Sequence, residues 1–178
     1  MAIYRLLVTQ IESARLIGRP AAAEDAPFFE RLWADPQVMA HLGGVRSADE
    51  SARALELSAT DWQAHGFGRW VVSDASGSVG TVKLAQTTVR DHHEIELGYA
   101  FLPAVWGRGY ATEIGGAVID LARNVLGLDQ LVAFALIGNA PSIAVMQRLA
   151  FKPDGTFERP AGRHALYRKE LCFDVWGA

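Results

Sequence analysis

The sequence has one cysteine, no long apolar run and no large excess of charge of either sign. Because Cys172 has no second cysteine to pair with, an intrachain disulfide is excluded and a reducing compartment is indicated. No apolar stretch reaches the ~20 residues of a membrane span. The apolar opening at residues 3–8 is interrupted by Arg5 and lacks a small-residue cleavage site. We therefore predict a cytoplasmic protein with no membrane partner, in which the Cys172 thiol is core filler rather than a nucleophile.

The length and charge limit the remaining classes. A chain of 178 residues forms one domain with a full core, so we predict a single domain over residues 1–178. Half of the residues are apolar and 21% are charged, which is typical of a globular protein and excludes general disorder. The formal charge of −3 gives no basic face for nucleic acid.

The sequence of the first third of the chain predicts one strand and two helices. Residues 14–20 form a short strand that ends at a proline. A helix start follows at Asp25, and four apolar residues form its buried stripe: Phe28, Phe29, Leu32 and Trp33. Ser47 and Glu50 form a capping box for a second helix, which ends at Gly66. Its predicted apolar positions are Ala52, Leu55, Ala59 and Trp62.

The remaining chain predicts six more strands and two more helices. The β-type runs 69–73, 79–85 and 94–102 are separated by turns and predict an antiparallel meander. A helix at 111–126 follows, with Ile114, Val118, Leu121 and Val125 on one face. The chain then continues as a strand at 131–137, a helix at 141–149 and strands at 151–157 and 164–173. The order predicts a mixed α/β domain around one sheet.

The junction at residues 97–113 carries the clearest chemical signal. A strand leads into a turn with Gly107 and Gly109, and the turn opens the long helix. The first N–H groups of a helix lack internal partners and are partly positive, so such a turn can hold a phosphate. A plain turn with no ligand is an alternative. A dinucleotide fingerprint is excluded, because Thr112 occupies the place of the third glycine and the preceding strands form a meander.

Four segments in this order resemble the GNAT acetyltransferases, most closely their ribosomal-protein N-terminal acetyltransferase branch. They are Glu96-Leu97-Gly98-Tyr99, Trp106-Gly107-Arg108-Gly109-Tyr110-Ala111-Thr112-Glu113, Asn139-Ala140-Pro141-Ser142 and Leu149-Ala150-Phe151. The first predicted strand, Ala14-Arg15-Leu16-Ile17-Gly18-Arg19-Pro20, also resembles that branch. The resemblance implies a mostly antiparallel sheet of about seven strands with about four helices, strands 4 and 5 being splayed. It implies acetyl-CoA as co-substrate.

The resemblance also assigns roles to residues. Backbone amides near Phe101 and Leu102 would bind the pantetheine arm and the thioester carbonyl. The pyrophosphate would lie on Gly107, Arg108, Gly109, Tyr110, Ala111 and Thr112. Asn139 would bind the cofactor arm, Ser142 would lie near the sulfur, and Arg148 would reach the ribose phosphate. Trp106 departs from the family pattern, in which glutamine or arginine begins the loop.

Acetyl transfer to an amine requires a base, and the strand before the loop offers two carboxylates. Glu94 and Glu96 lie on the same strand face, and either can accept a proton directly or through water; both can also be plain surface carboxylates. Ser142 is the predicted acid, with Tyr167 as the alternative. His92 and His93 point to opposite faces and predict a polar turn rather than a metal site.

The function predicted from these observations is direct transfer of acetyl from acetyl-CoA to a primary amine in a ternary complex. The alternatives are a non-catalytic acyl-CoA sensor of the same fold and an unrelated α/β binding protein. The acceptor is a protein N-terminus or a small-molecule amine, and a homodimer is compatible with the sequence. Trp33, Trp62, Trp70 and Trp106 either line the acceptor pocket or pack in the core.

Overall fold

The structure, a computed structural model, describes residues 10–171, so Cys172 lies outside the described residues. Its single sheet has eight strands. They are β1 (Ile11–Glu12), β2 (Ile17–Pro20), β3 (Arg69–Asp74), β4 (Gly77–Val89), β5 (His92–Phe101), β6 (Gln130–Leu136), β7 (Lys152–Arg159) and β8 (Gly162–Glu170). The strand order is β1-β2-β3-β4-β5-β6-β8-β7.

Five α-helices accompany the sheet. They are α1 (Ala26–Ala34), α2 (Pro36–Met39), α3 (Ala48–His65), α4 (Tyr110–Asn124) and α5 (Ala140–Arg148). The capping box of α3 is present, with Ser47 and Glu50 bonded reciprocally, and Gly66 ends the helix at φ 72°. No helix within residues 10–171 is both long and apolar enough to cross a membrane.

The predicted mixed α/β fold with a mostly antiparallel, locally splayed sheet is confirmed. Every strand pair is antiparallel except β5 and β6, which run parallel. These two strands pair only at Glu96 and Val132, so they diverge on both sides of that point. They are the fourth and fifth strands of the sequence prediction.

The sheet separates two buried clusters. Strand β3 shows the division, because successive side chains of a strand point to opposite faces. Trp70 and Val72 pack in the larger cluster with α4 and α5. Val71 packs in the smaller cluster with α1, α2 and α3. The face that carries Arg69 and Val71 therefore looks toward α1 and α3.

Some local predictions were wrong. On α3, Ala52 and Ala59 are exposed, while Ser51 and Ser58 take the buried positions beside Leu55. Ser58 Oγ accepts a hydrogen bond from Arg69 N at 3.1 Å, which explains a polar residue there. Val125 is exposed because α4 ends at Asn124.

The predicted turn at the histidine pair is also wrong. The turn is formed by Arg90 and Asp91, both with positive φ, and His92 and His93 begin β5. Strands β4 and β5 form a longer hairpin than predicted, paired from Gly80–Phe101 to Val89–His92. The two-residue strand β1 and the one-turn helix α2 were not predicted, because neither is long enough to show a period.

Candidate active site

Strand β5 borders the gap that opens beside β6. Leu102 N donates to Val79 O at 2.9 Å, and this bond fixes the alternation of hydrogen bonds between β5 and β4. Alternate amides of an antiparallel strand point to opposite sides, so those of Tyr99 and Phe101 point away from β4 and toward the gap. Of the two amides predicted to bind the cofactor arm, that of Phe101 faces the gap and that of Leu102 is already bonded.

The loop before α4 is an open row of backbone donors. Gly107 and Gly109 adopt φ of 76° and 80°, which favour glycine. A side chain at Gly107 would meet nothing within 4 Å, so the loop is not filled by the protein. Within residues 10–171 no acceptor is bonded to the N–H groups of five residues: Gly107, Gly109, Tyr110, Ala111 and Thr112. The row of open donors has the geometry expected of an anion cradle, and its binding of an anion stays a prediction.

A side-chain clamp holds that loop against the first strands. Glu113, in the first turns of α4, accepts hydrogen bonds from Ser13 Oγ at 2.7 Å, Arg15 N at 2.8 Å and Arg15 Nε at 2.8 Å. Arg15 Nη2 also donates to Arg108 O at 2.9 Å. Burial alone would raise the pKa of Glu113, but the bonds from Ser13 and Arg15 lower it overall. The Arg15 guanidinium thus lies beside the cradle, 3.8 Å from the position of a Cβ on Gly109.

Trp106, the residue that departs from the family pattern, ties the loop to β5. Its Nε1 donates to Phe101 O at 2.7 Å, while about half of the residue stays exposed. The indole therefore contributes to the loop's position rather than a charge. The side chains of Arg15 and Arg108 are the cations at this site.

The other border of the gap is the start of α5. Asn139 Oδ1 accepts from Ser142 N at 3.2 Å and caps the helix. Tyr99 OH donates to Ser142 O at 3.0 Å and lies 3.1 Å from Ser142 Oγ. Burial raises the pKa of Tyr99 to about 12, so its phenol stays protonated at neutral pH. Arg148, predicted to reach the ribose phosphate, is exposed at the last turn of α5.

The two predicted carboxylates have different surroundings. Glu96 lines the cavity that includes the gap and pairs with Lys83, Oε2 to Nζ at 2.8 Å. Gly98 has no side chain, and the room this leaves is occupied by the ends of Lys83 and Glu96. Glu94 is buried, pairs with Arg168 at 2.8 Å and accepts from Gln130 at 3.0 Å. It is not among the residues that line the cavity.

The cavity has a volume of about 330 Å³ and joins the gap to the space under α1. Gly98, Asn139 and Ser142 line its gap end, and Trp33, Arg46 and Arg69 line the opposite end. Trp33 is the one predicted pocket tryptophan that borders it. Trp62 and Trp70 pack edge to face at 4.8 Å in the core.

The remaining candidates lie away from the cavity. Tyr167 is buried in the larger cluster, and its hydroxyl accepts from Gln147 Nε2 at 3.5 Å. His92 and His93 are exposed at the start of β5. The described part of the chain contains no group of three or more His, Cys, Asp or Glu side chains placed to hold a metal ion.

A family model described as the Acetyltransferase (GNAT) domain matches residues 15–152. The chain belongs to the GNAT acetyltransferase family. It is similar to the Bacillus subtilis (strain 168) protein named uncharacterized N-acetyltransferase YoaA, with 23% identity over 169 residues, 93% of this chain and 92% of that one.

Solved GNAT structures share the fold. An acetyltransferase from Agrobacterium tumefaciens is 24% identical with a TM-score of 0.80, over 95% of this chain and 98% of that one. The Salmonella typhimurium acetyltransferase that modifies the N-terminal serine of 50S ribosomal protein L7/L12 is 16% identical with a TM-score of 0.78, over 90% of this chain and 98% of that one. The resemblance to the ribosomal-protein branch is thus supported at the level of the fold.

A GNAT domain is an acetyl-CoA-dependent acetyltransferase, and the loop of this one fits that co-substrate. The five unbonded amides, the positive end of α4 and the guanidinium of Arg15 suit a diphosphate. The absence of any atom within 4 Å of a Cβ on Gly107 leaves space for it. The contacts of the rest of the cofactor with the backbone amides of Phe101 and Leu102 and with the side chains of Asn139, Ser142 and Arg148 stay predictions.

Several residues of this GNAT site were missed by the sequence analysis. Arg15 is 98 residues from Glu113, and Lys83 is 13 residues from Glu96, so no local spacing pairs them. Tyr99 appears in the family-like segment, yet its bond to Ser142 spans 43 residues. The alternation of side chains in strands 69–73 and 79–85 could have predicted that Arg69 and Lys83 share a face of the sheet. It could not have predicted that Trp33 lies near Arg69.

Proposed function

We propose that this GNAT enzyme is an N-acetyltransferase that binds acetyl-CoA and a primary amine together and passes the acetyl group directly between them. The observation that carries the proposal is the continuous cavity, which reaches from the gap beside β5 to the acceptor end and is bordered by the carboxylate of Glu96. An acetyl group in the gap and an amine in the cavity would therefore meet without a covalent enzyme intermediate.

The loop before α4 and the start of α5 would hold the co-substrate. When bound, acetyl-CoA supplies an activated acetyl thioester. The amides at the mouth of α4 hold the diphosphate, and Asn139 borders the arm. The Phe101 amide is a fixed donor directed into the gap, where it orients the acetyl carbonyl and favours negative charge on its oxygen.

Glu96 is the proposed base. Glu96 lines the cavity, and Lys83 holds its Oε2. A lysine-type amine of pKa about 10.4 costs roughly 4–5 kcal/mol to deprotonate at pH 7, whereas an α-amine near 7.8 costs about 1 kcal/mol. A base therefore matters most for acceptors of high pKa. Glu94 is the weaker candidate, because both of its oxygens are engaged by Arg168 and Gln130.

Ser142 is the proposed acid. Its Oγ can give a proton to the departing thiolate, and the leaving thiol, with a pKa near 8.5, needs at most about 2 kcal/mol of help at pH 7. The phenol of Tyr99, which donates to Ser142 O and lies 3.1 Å from Ser142 Oγ, positions this hydroxyl. An N-terminal α-amine of a protein is one acceptor class, supported by the shared fold with the Salmonella typhimurium enzyme.

The test compares two carboxylates two residues apart on one strand. We expect Glu96→Gln to lower kcat by about 10²–10³-fold while the Kd for CoA changes less than twofold, because general-base help is lost and the cradle is untouched. The loss should grow with the pKa of the amine. Steady-state kinetics over amines of different pKa and calorimetry with CoA measure both quantities.

Glu94→Gln is the matched variant. It removes a buried ion-pair partner of Arg168, so we expect a loss of about 3 kcal/mol in unfolding free energy with a smaller effect on kcat than Glu96→Gln. A larger kcat loss in Glu94→Gln would transfer the base role to Glu94. Tight CoA binding with no transfer to any amine by the wild type would contradict catalysis altogether.

A further inference from the structure

We propose that the acceptor is a small amine that also carries an oxyanionic group, a carboxylate or a phosphate, and that Arg46 and Arg69 bind this group. The inference rests on the proposed acetyl transfer and names the acceptor class of the same site. It comes from the end of the cavity lined by Trp33, Arg46 and Arg69, to which the four family-like segments contribute no residue.

Both guanidinium groups lie against one aromatic ring. The Cζ of Arg46 is 4.7 Å from the ring centroid of Trp33, and that of Arg69 is 5.1 Å from it. Trp33 is fixed in the smaller core cluster, and Arg46 N donates to Trp33 O at 2.9 Å. The three side chains all line the cavity. The two cations are therefore held at one wall rather than dispersed in solvent.

Neither guanidinium forms an ion pair within 4.0 Å in the described residues 10–171, and the carboxylates of Glu50, Asp61 and Glu96 act on them only from farther away. Arg69 Nε is buried and makes no hydrogen bond, and the contact of Arg69 Nη1 with Thr81 Oγ1 is long, at 3.4 Å. Buried charged donors are normally paired, because an unpaired one loses its hydration without compensation. Burial, followed by the charge of Arg46, lowers the pKa of Arg69 to about 10, which still leaves both groups cationic at neutral pH.

The charged side chains that line the cavity are mostly positive. The described residues that line it include four Lys and Arg side chains: Arg46, Arg69, Lys83 and Arg159. They include one carboxylate, Glu96, which is already paired with Lys83. The chain as a whole carries a formal charge of −3, so this excess of positive charge is local. Such a wall repels polyamines and attracts acceptors with an anionic end.

The sheet register gives the spacing between the two ends of the acceptor. Arg69 pairs with Lys83, and Lys83 pairs with Gly98, so these residues form one row across β3, β4 and β5. Two strand spacings place the Arg69 backbone about 10 Å from β5. The arginine side chain extends over part of that distance. The remaining separation and the cavity volume of about 330 Å³ suit the amine and the oxyanion of one small molecule.

The test is a set of acceptors matched in everything but the anionic group. kcat/KM is measured for the L-amino acids and their amides, for O-phosphoethanolamine and ethanolamine, and for spermidine and short peptide amides. We expect the best acid or phosphate to exceed its uncharged counterpart at least tenfold. The preference for an amino acid over its amide is compared with the preference for O-phosphoethanolamine over ethanolamine, and the larger preference identifies carboxylate or phosphate as the group bound. A preference for spermidine, amino acid amides or peptide amides overturns the proposal.

Two variants and one control test whether Arg46 and Arg69 produce the preference for an anionic acceptor. We expect Arg46→Gln and Arg69→Gln to reduce the preference for the anionic acceptor to less than threefold, mainly through KM. Arg31→Gln removes an exposed arginine that lies 5.7 Å from the Phe28 ring and does not line the cavity, so it should keep the full preference. If Arg69→Gln fails to fold, Arg46→Gln decides alone, and an unchanged preference in that variant overturns the proposal.

A binding measurement separates this inference from the proposed catalysis. Calorimetry with the N-acetylated forms of the same acids and amides needs no transfer step. We expect the acetylated acids to bind at least fivefold more tightly than the acetylated amides in the wild type, and equally in Arg46→Gln. If the acetylated acids bind more tightly but no amine is acetylated, the result would support the anion site and contradict the proposed acetyl transfer. Equal binding in the wild type would contradict the anion site alone.

Discussion

The two halves of the proposed site are built in different ways. The proposed cofactor end, which adjoins the cavity, consists of main-chain donors from one continuous segment, residues 101–112, at a strand-to-helix junction. The acceptor end consists of side chains from α1, the loop before α3 and strands β3, β4 and β5, brought together by the fold. Backbone donors bind any diphosphate of the right size, whereas side chains determine which amine fits. A family can therefore keep one end while the other end changes its specificity.

The largest expected change in CoA affinity comes from a substitution that disrupts the cofactor end alone. Gly109→Asp places a side chain at φ 80° and a negative charge beside the amides proposed to hold the diphosphate. We expect the Kd for CoA to rise about 100-fold, equivalent to about 2.7 kcal/mol, measured by calorimetry. The preference among acceptors should stay unchanged.

Gly116→Ala is the matched control on the same helix. A Cβ at Gly116 would meet nothing within 4 Å, and alanine favours a helix, so CoA affinity should match the wild type. Wild-type affinity in Gly109→Asp would show that the diphosphate lies elsewhere.

The difference between the two ends also explains what the sequence predicted. The cradle was found because its residues are consecutive and because the physics of a helix start is local. The capping box of α3 and the stripe of α1 were found for the same reason. Arg46, Arg69 and Trp33 belong to three separate elements, and only the paired strands and packed helices bring them together. The shift of the buried face of α3 by one residue has a similar origin, since Ser58 bonds to a distant strand.

The next substitution tests how far the cofactor end depends on residues that are distant in sequence. Glu113→Gln weakens the charge-assisted bonds from Ser13 and Arg15 to the start of α4, so we expect the unfolding free energy at pH 7 to fall by about 1–2 kcal/mol. The pKa of Glu113 is lowered in the folded protein, so its stabilisation is complete above the unfolded value of about 4.3 and disappears as pH falls through the lower folded value. The wild type and the variant should therefore converge in stability at acidic pH.

Urea unfolding followed by circular dichroism between pH 7 and pH 3.5 measures this convergence. Asp120→Asn, at an exposed carboxylate of the same helix, should change stability by less than about 0.5 kcal/mol at every pH. A constant difference between Glu113→Gln and the wild type across this range would indicate that packing, rather than charge, holds the clamp. The structure of the cofactor end would then not depend on charged contacts with residues distant in sequence.

The smallest expected effect is at Gly98, where the gap adjoins the proposed base, and it reverses the pattern of Gly109→Asp. A Cβ at Gly98 would lie 2.6 Å from Lys83 Cε and 3.0 Å from Glu96 Oε1, both at the flexible ends of side chains. We therefore expect Gly98→Ala to fold normally but to displace the Lys83–Glu96 pair, lowering kcat about fivefold with a Kd for CoA within twofold of the wild type. The loss should be larger for an amine of pKa about 10 than for an α-amine, because only the former depends strongly on the base. Equal losses for both amines, measured by steady-state kinetics at pH 7, would mean that Gly98 acts by shaping the gap, and that the division between a cofactor end and an acceptor end does not hold at β5.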